Sequence, residues 1–285
     1  MTMSRYIILA ETGADVPKEM AERYGIYIIP MHVTFGEESR DDGSFPTTEL
    51  FAYYKSTGKL PKTAAANVAE FSEIYDRIHE EHPEAHIIYL AYSAVTTSTY
   101  QCGVIAAQDR DYVTTFDTKH VSAGQCMVVY QVARYIEEHP DASLDQVMAQ
   151  AAYYSQHTRM GFFPGDLDYL RAGGRVSNAA YLGAKLLSLN PLIEIQDGYL
   201  IATKKYRGKM NRIAGKLLTD FTAEQKLKKD TLFLVFSAGL SESLKESLVA
   251  EAREMGYQEI RWIETGCVVS THSGPGAYGV VGVTE

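Results

Sequence analysis

The sequence predicts an α/β protein in two parts, and three observations carry that prediction. The first half alternates short apolar runs, such as residues 6–10 and 86–92, with amphipathic stretches such as 68–82. Strands that alternate with helices belong to parallel sheets covered on both faces. The second half is less regular and carries an Asp197-Gly198 hairpin signal between two extended runs. A length of 285 residues suits two domains of ordinary size. The expectation is a parallel-sheet, Rossmann-like N-terminal domain over residues 1–160 and a C-terminal α/β domain over 161–285. A ligand site should lie between them, at the carboxyl ends of strands.

Taken in order, residues 6–10 read as a strand entering the polar loop Glu11-Thr12-Gly13-Ala14-Asp15, and Pro17 suits the first turn of a helix. Residues 26–29 and 31–35 read as extended. Thr47 can cap a helix carrying Leu50, Phe51 and Tyr54. Phe71, Ile74, Tyr75 and Ile78 recur at helical spacing in 68–82. A buried strand at 86–92, a helix at 97–108, a strand at 112–116 and a helix at 122–138 complete the first half. In the second half, 143–157 is helical, and 159–163 and 166–170 flank Pro164-Gly165. Ser177 caps a mostly apolar helix reaching residue 187. The runs 192–195 and 199–203 form the hairpin, and a basic helix follows. A strand at 231–236, a helix from Ser241 and a strand at 259–263 close the series.

Composition excludes several function classes. Hydrophobic residues make up 46% and charged ones 22%, the balance of a folded globular chain. A formal net charge of −9 argues against a nucleic-acid-binding surface, which needs clustered positive charge. Transient contact with a membrane surface stays open through one local basic run. Cys102, Cys126 and Cys267 lie far apart with no CxxC pair, the pattern of reduced thiols in a cytoplasmic chain. The apolar stretch near the start is too short for a signal-peptide core. No run approaches the ~20 apolar residues that cross a bilayer, so a lipid ligand would have to be enclosed by the fold.

Four polar or glycine-rich segments stand at the ends of expected strands: 61–67, 92–101, 170–177 and 270–279. Between Ser93 and Thr99, five of seven residues carry hydroxyls (Ser93, Thr96, Thr97, Ser98, Thr99) at the start of a helix. Unpartnered backbone donors and the helix dipole make such a start an anion site. The alternative is that Thr97 merely caps the helix. Gly274 to Gly279 spells GxGxxG, but only six residues follow and no βαβ unit can form, so it is not a dinucleotide fingerprint. Its glycines more plausibly turn the backbone and bring His272 to a ligand. His79, His82 and His86 are interrupted by Pro83, and no metal site is expected from them. Ser93, His272 and Asp117 could form a hydrolase triad, though no GxSxG elbow surrounds any serine. The run Lys204-Lys205-Tyr206-Arg207-Gly208-Lys209, with Arg212, reads as a solvated helix face or as a partner or phosphate contact.

Together, and in order, these segments resemble the DegV family, bacterial fatty-acid-binding proteins that include the FakB subunits of fatty acid kinase. Glu11 to Asp15 is similar to the family's Asp-Ser-Thr-Ala-Asp, and Pro61-Lys62-Thr63 opens the segment that usually reads Thr-Ser-Gln-Pro. Ser93 to Gln101 is similar to Ser-Ser-x-Leu-Ser-Gly-Thr-Tyr-Gln. Phe116-Asp117-Thr118, Gly173-Gly174-Arg175-Val176-Ser177, Tyr206-Arg207-Gly208-Lys209 and His272-Ser273-Gly274-Pro275-Gly276 complete the set. The resemblance implies the DegV (EDD) fold and a non-catalytic carrier with no cofactor. It implies a long-chain fatty acid in a buried tunnel, its carboxylate held by Thr63 and Thr97 with Ser93, Ser98 and His272 nearby. Arg175 and Arg207 would stand at the pocket mouth or at a partner contact. A fatty acid kinase would phosphorylate the bound acid, placing the chain in phospholipid metabolism. Ala64-Ala65-Ala66, Ala94 and Ser98 depart from the family pattern, which leaves fewer hydroxyls at the head group and narrows the mouth. The tunnel wall would draw on Phe162, Leu182, Leu186, Leu187 and Ile193. The competing expectation is a hydrolase, or an acyl or phosphoryl transferase, that uses His272 and the Ser93–Thr99 hydroxyls.

Overall fold

The structure, a computed structural model, describes residues 5–174 and 189–285. Arg175, Leu182, Leu186, Leu187 and the helix expected from Ser177 lie outside the described residues. Three sheets organise the rest. The first is wholly parallel, in the order β2-β1-β6-β7, from Tyr6–Glu11 (β1), Tyr27–Ile29 (β2), His86–Ala91 (β6) and Val113–Asp117 (β7). Every residue of β1 is buried, as a strand covered on both faces requires. The second sheet has six strands in the order β10-β9-β8-β13-β11-β12: Thr158–Phe163 (β8), Leu189–Gln196 (β9), Tyr199–Arg207 (β10), Leu227–Phe236 (β11), Glu259–Glu264 (β12) and Tyr278–Thr284 (β13). Its pairs are antiparallel except β11 with β12. A small antiparallel sheet, β4-β3-β5, joins His32–Phe35 (β3), Glu38–Asp41 (β4) and Lys62–Ala64 (β5). This is the mixed α/β architecture that the sequence predicts.

Helix Ser122–Glu138 (α5) lies between the two large sheets. It packs against β1 and β6 on one side and against β8, β11 and β13 on the other. Its first twelve residues, 122–133, are all buried, and a helix buried all round belongs in the interior of a large fold. Helix Val68–Glu81 (α3) instead shows one apolar face, with Phe71, Ile74, Tyr75 and Ile78 buried. Burying side chains of this size is worth about 1.5–3 kcal/mol each. Its start is fixed locally. The Asn67 side chain accepts from the Ala69 and Glu70 amides, and the Glu70 carboxylate accepts from the Asn67 amide at 2.7 Å. That capping box is worth about 1 kcal/mol and fixes the chain just after Thr63.

The structure corrects one sequence expectation and supplies three placements that the sequence left open. The basic run is not helical: Lys204 to Arg207 continues the hairpin as β10, opposite Leu192 to Leu189, and the helix begins only at Met210. Tyr206 is buried while Lys205 and Arg207 are exposed, the two-residue period of a strand. The segment after Ala277 forms β13, flanked by β8 and β11. Thr63 sits on a short strand, β5. His272 sits on a short helix, Cys267–Ser273.

Candidate ligand-binding site

A cavity of about 310 Å³ opens between the sheets, near the lower end of the range for small-molecule sites. Its walls are largely apolar and include Met31, Met160, Phe162, Leu170, Leu200 and Val235. The polar part of the lining includes Thr63, Thr96, Thr97, Ser98, Ser122, Thr265, His272 and Ser273, and the tyrosines Tyr92 and Tyr278 also line it.

Thr63 reaches the cavity because β5 pairs with β3, Thr63 lying opposite Val33. Its hydroxyl is 3.0 Å from Nε2 of His272, 209 residues further along the chain. The short helix carrying His272 has little local support: Val268, Val269 and Thr271 are β-branched, and Gly266 at its N-cap offers no side-chain cap. Distant carboxylates supply the cap instead. The Gly266 amide donates to Asp15 Oδ1 at 2.7 Å, and the Cys267 amide donates to Asp42 Oδ1 at 2.7 Å. Negative charge is favourable at this end of a helix. Asp15 sits in the left-handed region at φ 53 and also accepts from the Ser122 hydroxyl. Burial pushes the Asp15 carboxyl well above its ordinary value and also raises Asp42.

Thr97 reaches the cavity by a different route. The loop at the end of β6 turns into helix Thr99–Ala107 (α4), whose N-cap Ser98 makes no side-chain cap bond. The Thr97 hydroxyl takes that role, accepting from the Thr99 amide at 3.3 Å and lying 2.8 Å from the Thr99 hydroxyl. The loop is held from beneath by Glu11. This fully buried carboxylate accepts from the Tyr89 hydroxyl, from the Tyr92 amide at 3.0 Å and from Gln125 Nε2 at 2.6 Å. Desolvation raises the Glu11 carboxyl despite these donors.

Thr63, Thr97, Ser98 and His272 therefore line one cavity. Ser93 is not among the described residues that line it; its buried hydroxyl donates to the Gly198 carbonyl in the β9–β10 turn at 2.9 Å. Asp117 accepts from the Ala94 and Lys119 amides, so Ser93, Asp117 and His272 each have partners outside a triad. Arg207 is exposed at the end of β10 and does not line the cavity. Phe162 does, whereas Ile193 is buried in the adjoining core. The three clustered histidines go separate ways. His79 stacks on Tyr112, His82 meets Tyr27, and His86 meets Thr114. Ser122 is a site residue that the sequence reading missed. Its signal is faint, a non-glycine residue at φ 49 whose hydroxyl answers the Glu11–Asp15 loop.

Chemically, such a cavity suits an apolar chain with an anionic end: hydroxyl donors, an imidazole and a helix start meet the charge, and apolar walls take the chain. An α/β chain of this topology has structural relatives over its whole length. The chain belongs to the DegV family, described as an uncharacterised protein family, whose model matches residues 6–285. The chain is 27% identical over 282 residues to a fatty acid-binding protein of Thermotoga maritima, covering 95% of each. A fatty-acid-binding DegV family protein from Thermus thermophilus superimposes with a TM-score of 0.87 at 24% identity, over 99% of this chain and 100% of that one. A stearic-acid-binding protein from Eubacterium ventriosum gives a TM-score of 0.84 at 21% identity, over 98% of each.

Proposed function

We propose that this protein is a fatty acid carrier: a long acyl chain lies in the cavity between an N-terminal lobe (1–160) and a C-terminal lobe (161–285), its carboxylate held by Thr63 and Thr97. The observation that carries this reading is the convergence of Thr63, Thr97, Ser98 and His272 on one largely apolar cavity. Each methylene removed from water is worth about 0.8 kcal/mol. The carboxylate must then be paired, because an unpaired buried charge costs several kcal/mol. Threonine hydroxyls, the His272 imidazole and the α4 start meet that need. The carrier role includes presentation to a fatty acid kinase, which would form the acyl phosphate, with the exposed Arg207 as a partner contact.

Denaturing mass spectrometry of an organic extract tests the reading. A long-chain acid near one equivalent is the expected result; an empty cavity together with ester turnover would favour a hydrolase using His272. The double variant Thr63→Val/Thr97→Val should still fold, at a cost of about 1 kcal/mol from the lost α4 cap, and lose affinity by about 100-fold or more, since hydrogen bonds to a charged group are worth about 1.5–3 kcal/mol each. Undiminished retention would reject the head-group assignment.

A further inference from the structure

The carrier reading leaves part of the cavity lining without a task. Thr63, Thr97, Ser98 and His272 serve the carboxylate, Ser273 adjoins His272, and Thr96 belongs to the Thr97 loop. Ser122 and Thr265 belong to neither group. Both line the cavity and both are buried, 1% and 4% exposed. Asp15 joins them into a separate polar end. One of its oxygens takes the Ser122 hydroxyl, and the other accepts from the amide of Gly266, the neighbour of Thr265. The short helix that carries His272 sets the distance between the two ends. Val268, Val269 and His272 line the cavity at helical spacing on Cys267–Ser273, and Thr265 stands just before its start. At 1.5 Å per residue, Thr265 lies about 10 Å from His272 along this axis, with the two valines between. An extended chain advances about 1.2 Å per bond. A carboxylate held at His272 therefore sets the Ser122–Thr265 end against roughly the eighth to tenth carbon.

A plain acyl chain meets this end badly. Among the described residues each of the two hydroxyls has one partner: Asp15 for Ser122, and the Ser270 hydroxyl at 2.8 Å for Thr265. A hydroxyl offers one donor and two acceptor sites. Methylenes packed against it leave the remaining sites dry, at a cost in free energy. A second carboxylate is no better, because it only accepts and Ser122 gives its proton to Asp15. An alcohol both gives and takes, so it answers Ser122 and Thr265 whichever way their own bonds run. The backbone points the same way. Ser122 is held at φ 49, in the left-handed region, at the cavity wall. Strain of this kind persists where the surroundings over-determine it, and it clusters at ligand sites.

We propose that the preferred ligand is a long-chain fatty acid with a mid-chain hydroxyl, and that Ser122 and Thr265 are the residues that recognise that hydroxyl. This specificity rests on the carrier reading above: the carboxylate stays at Thr63 and Thr97, and the alcohol fills the second polar end.

Competition for the intact protein tests the assignment. The protein is incubated with equal amounts of stearate, 2-hydroxystearate and 10-hydroxystearate, re-isolated, and its bound acids are quantified by mass spectrometry. The 10-hydroxy acid should exceed each of the others about tenfold. Thr265→Val and Ser122→Gly, the latter suited to the left-handed backbone, should each bring that ratio down towards one. Thr63→Val should lower the total bound acid and keep the ratio, because it acts on the carboxylate that all three acids share. Equal uptake of stearate and the 10-hydroxy acid, or a preference that survives both substitutions, would overturn the hydroxyl assignment alone. No bound acid of any kind would overturn the carrier reading as well.

Discussion

The two polar sides of the cavity are built in opposite ways. The Thr96–Thr99 side is local in its capping, since hydroxyls adjacent in sequence cap their own helix, and only the loop beneath leans on distant Glu11 and on the Ser93 amide donating to the His120 carbonyl at 2.9 Å. The Thr63–His272 side is assembled from distant parts of the chain. Its strand pairs with β3, and its helix is capped by Asp15 and Asp42 rather than by any neighbour. A local device depends on a few adjacent residues. An assembled one depends on every element that brings its parts together, so it should fail under substitutions far from the cavity.

The strongest way to test that difference is Asp15→Ala. It leaves the Gly266 amide and Ser122 hydroxyl without their acceptor and places alanine at a left-handed position. The expected loss is about 3 kcal/mol in urea denaturation. Asp15→Asn, which keeps an acceptor and tolerates that backbone, should lose less than half as much. Equal losses would mean that the carboxylate, and not the cap, is what matters.

A smaller effect addresses the local side. His120 Nε2 donates to the Ser155 carbonyl at 2.9 Å, and burial lowers its pKa to about 4. Unfolded histidine titrates near 6.5, so the unfolded state binds the extra proton first as pH falls. The contribution is complete above pH 6.5 and declines as pH falls towards 4, a loss of about 2 kcal/mol by pH 5. Glu11, Asp15 and Asp42, with raised pKa values, act in the opposite direction over part of this range. The variant His120→Gln isolates the histidine. Its stability should fall less than the parent's between pH 7 and pH 5, and parallel curves would contradict the assignment.

The same contrast explains what was legible in the sequence. The parallel sheet could be read because strands such as Tyr6–Glu11 are unbroken apolar runs, and the hydroxyl cluster because its residues are neighbours. Strand β13 was hidden by its glycines, which lower strand propensity. Packing requires them, since a Cβ on Gly279 would lie 2.6 Å from Phe162 Cβ. The helix carrying His272 was hidden because its caps stand some 225 and 251 positions away in the chain. The basic run was misread because its density of long charged side chains suits a solvated helix face, whereas the alternation of Lys205, Tyr206 and Arg207 is a strand's. His272 itself was anticipated from the glycines that follow it and from the family resemblance, not through any local helical signal.

The most direct test of the carrier reading is carbon-13 NMR of a carboxyl-labelled long-chain fatty acid bound to the protein. A single bound carboxylate resonance should appear near one equivalent and shift in both Thr63→Val and Thr97→Val. No bound resonance, or one that neither substitution moves, would contradict the account.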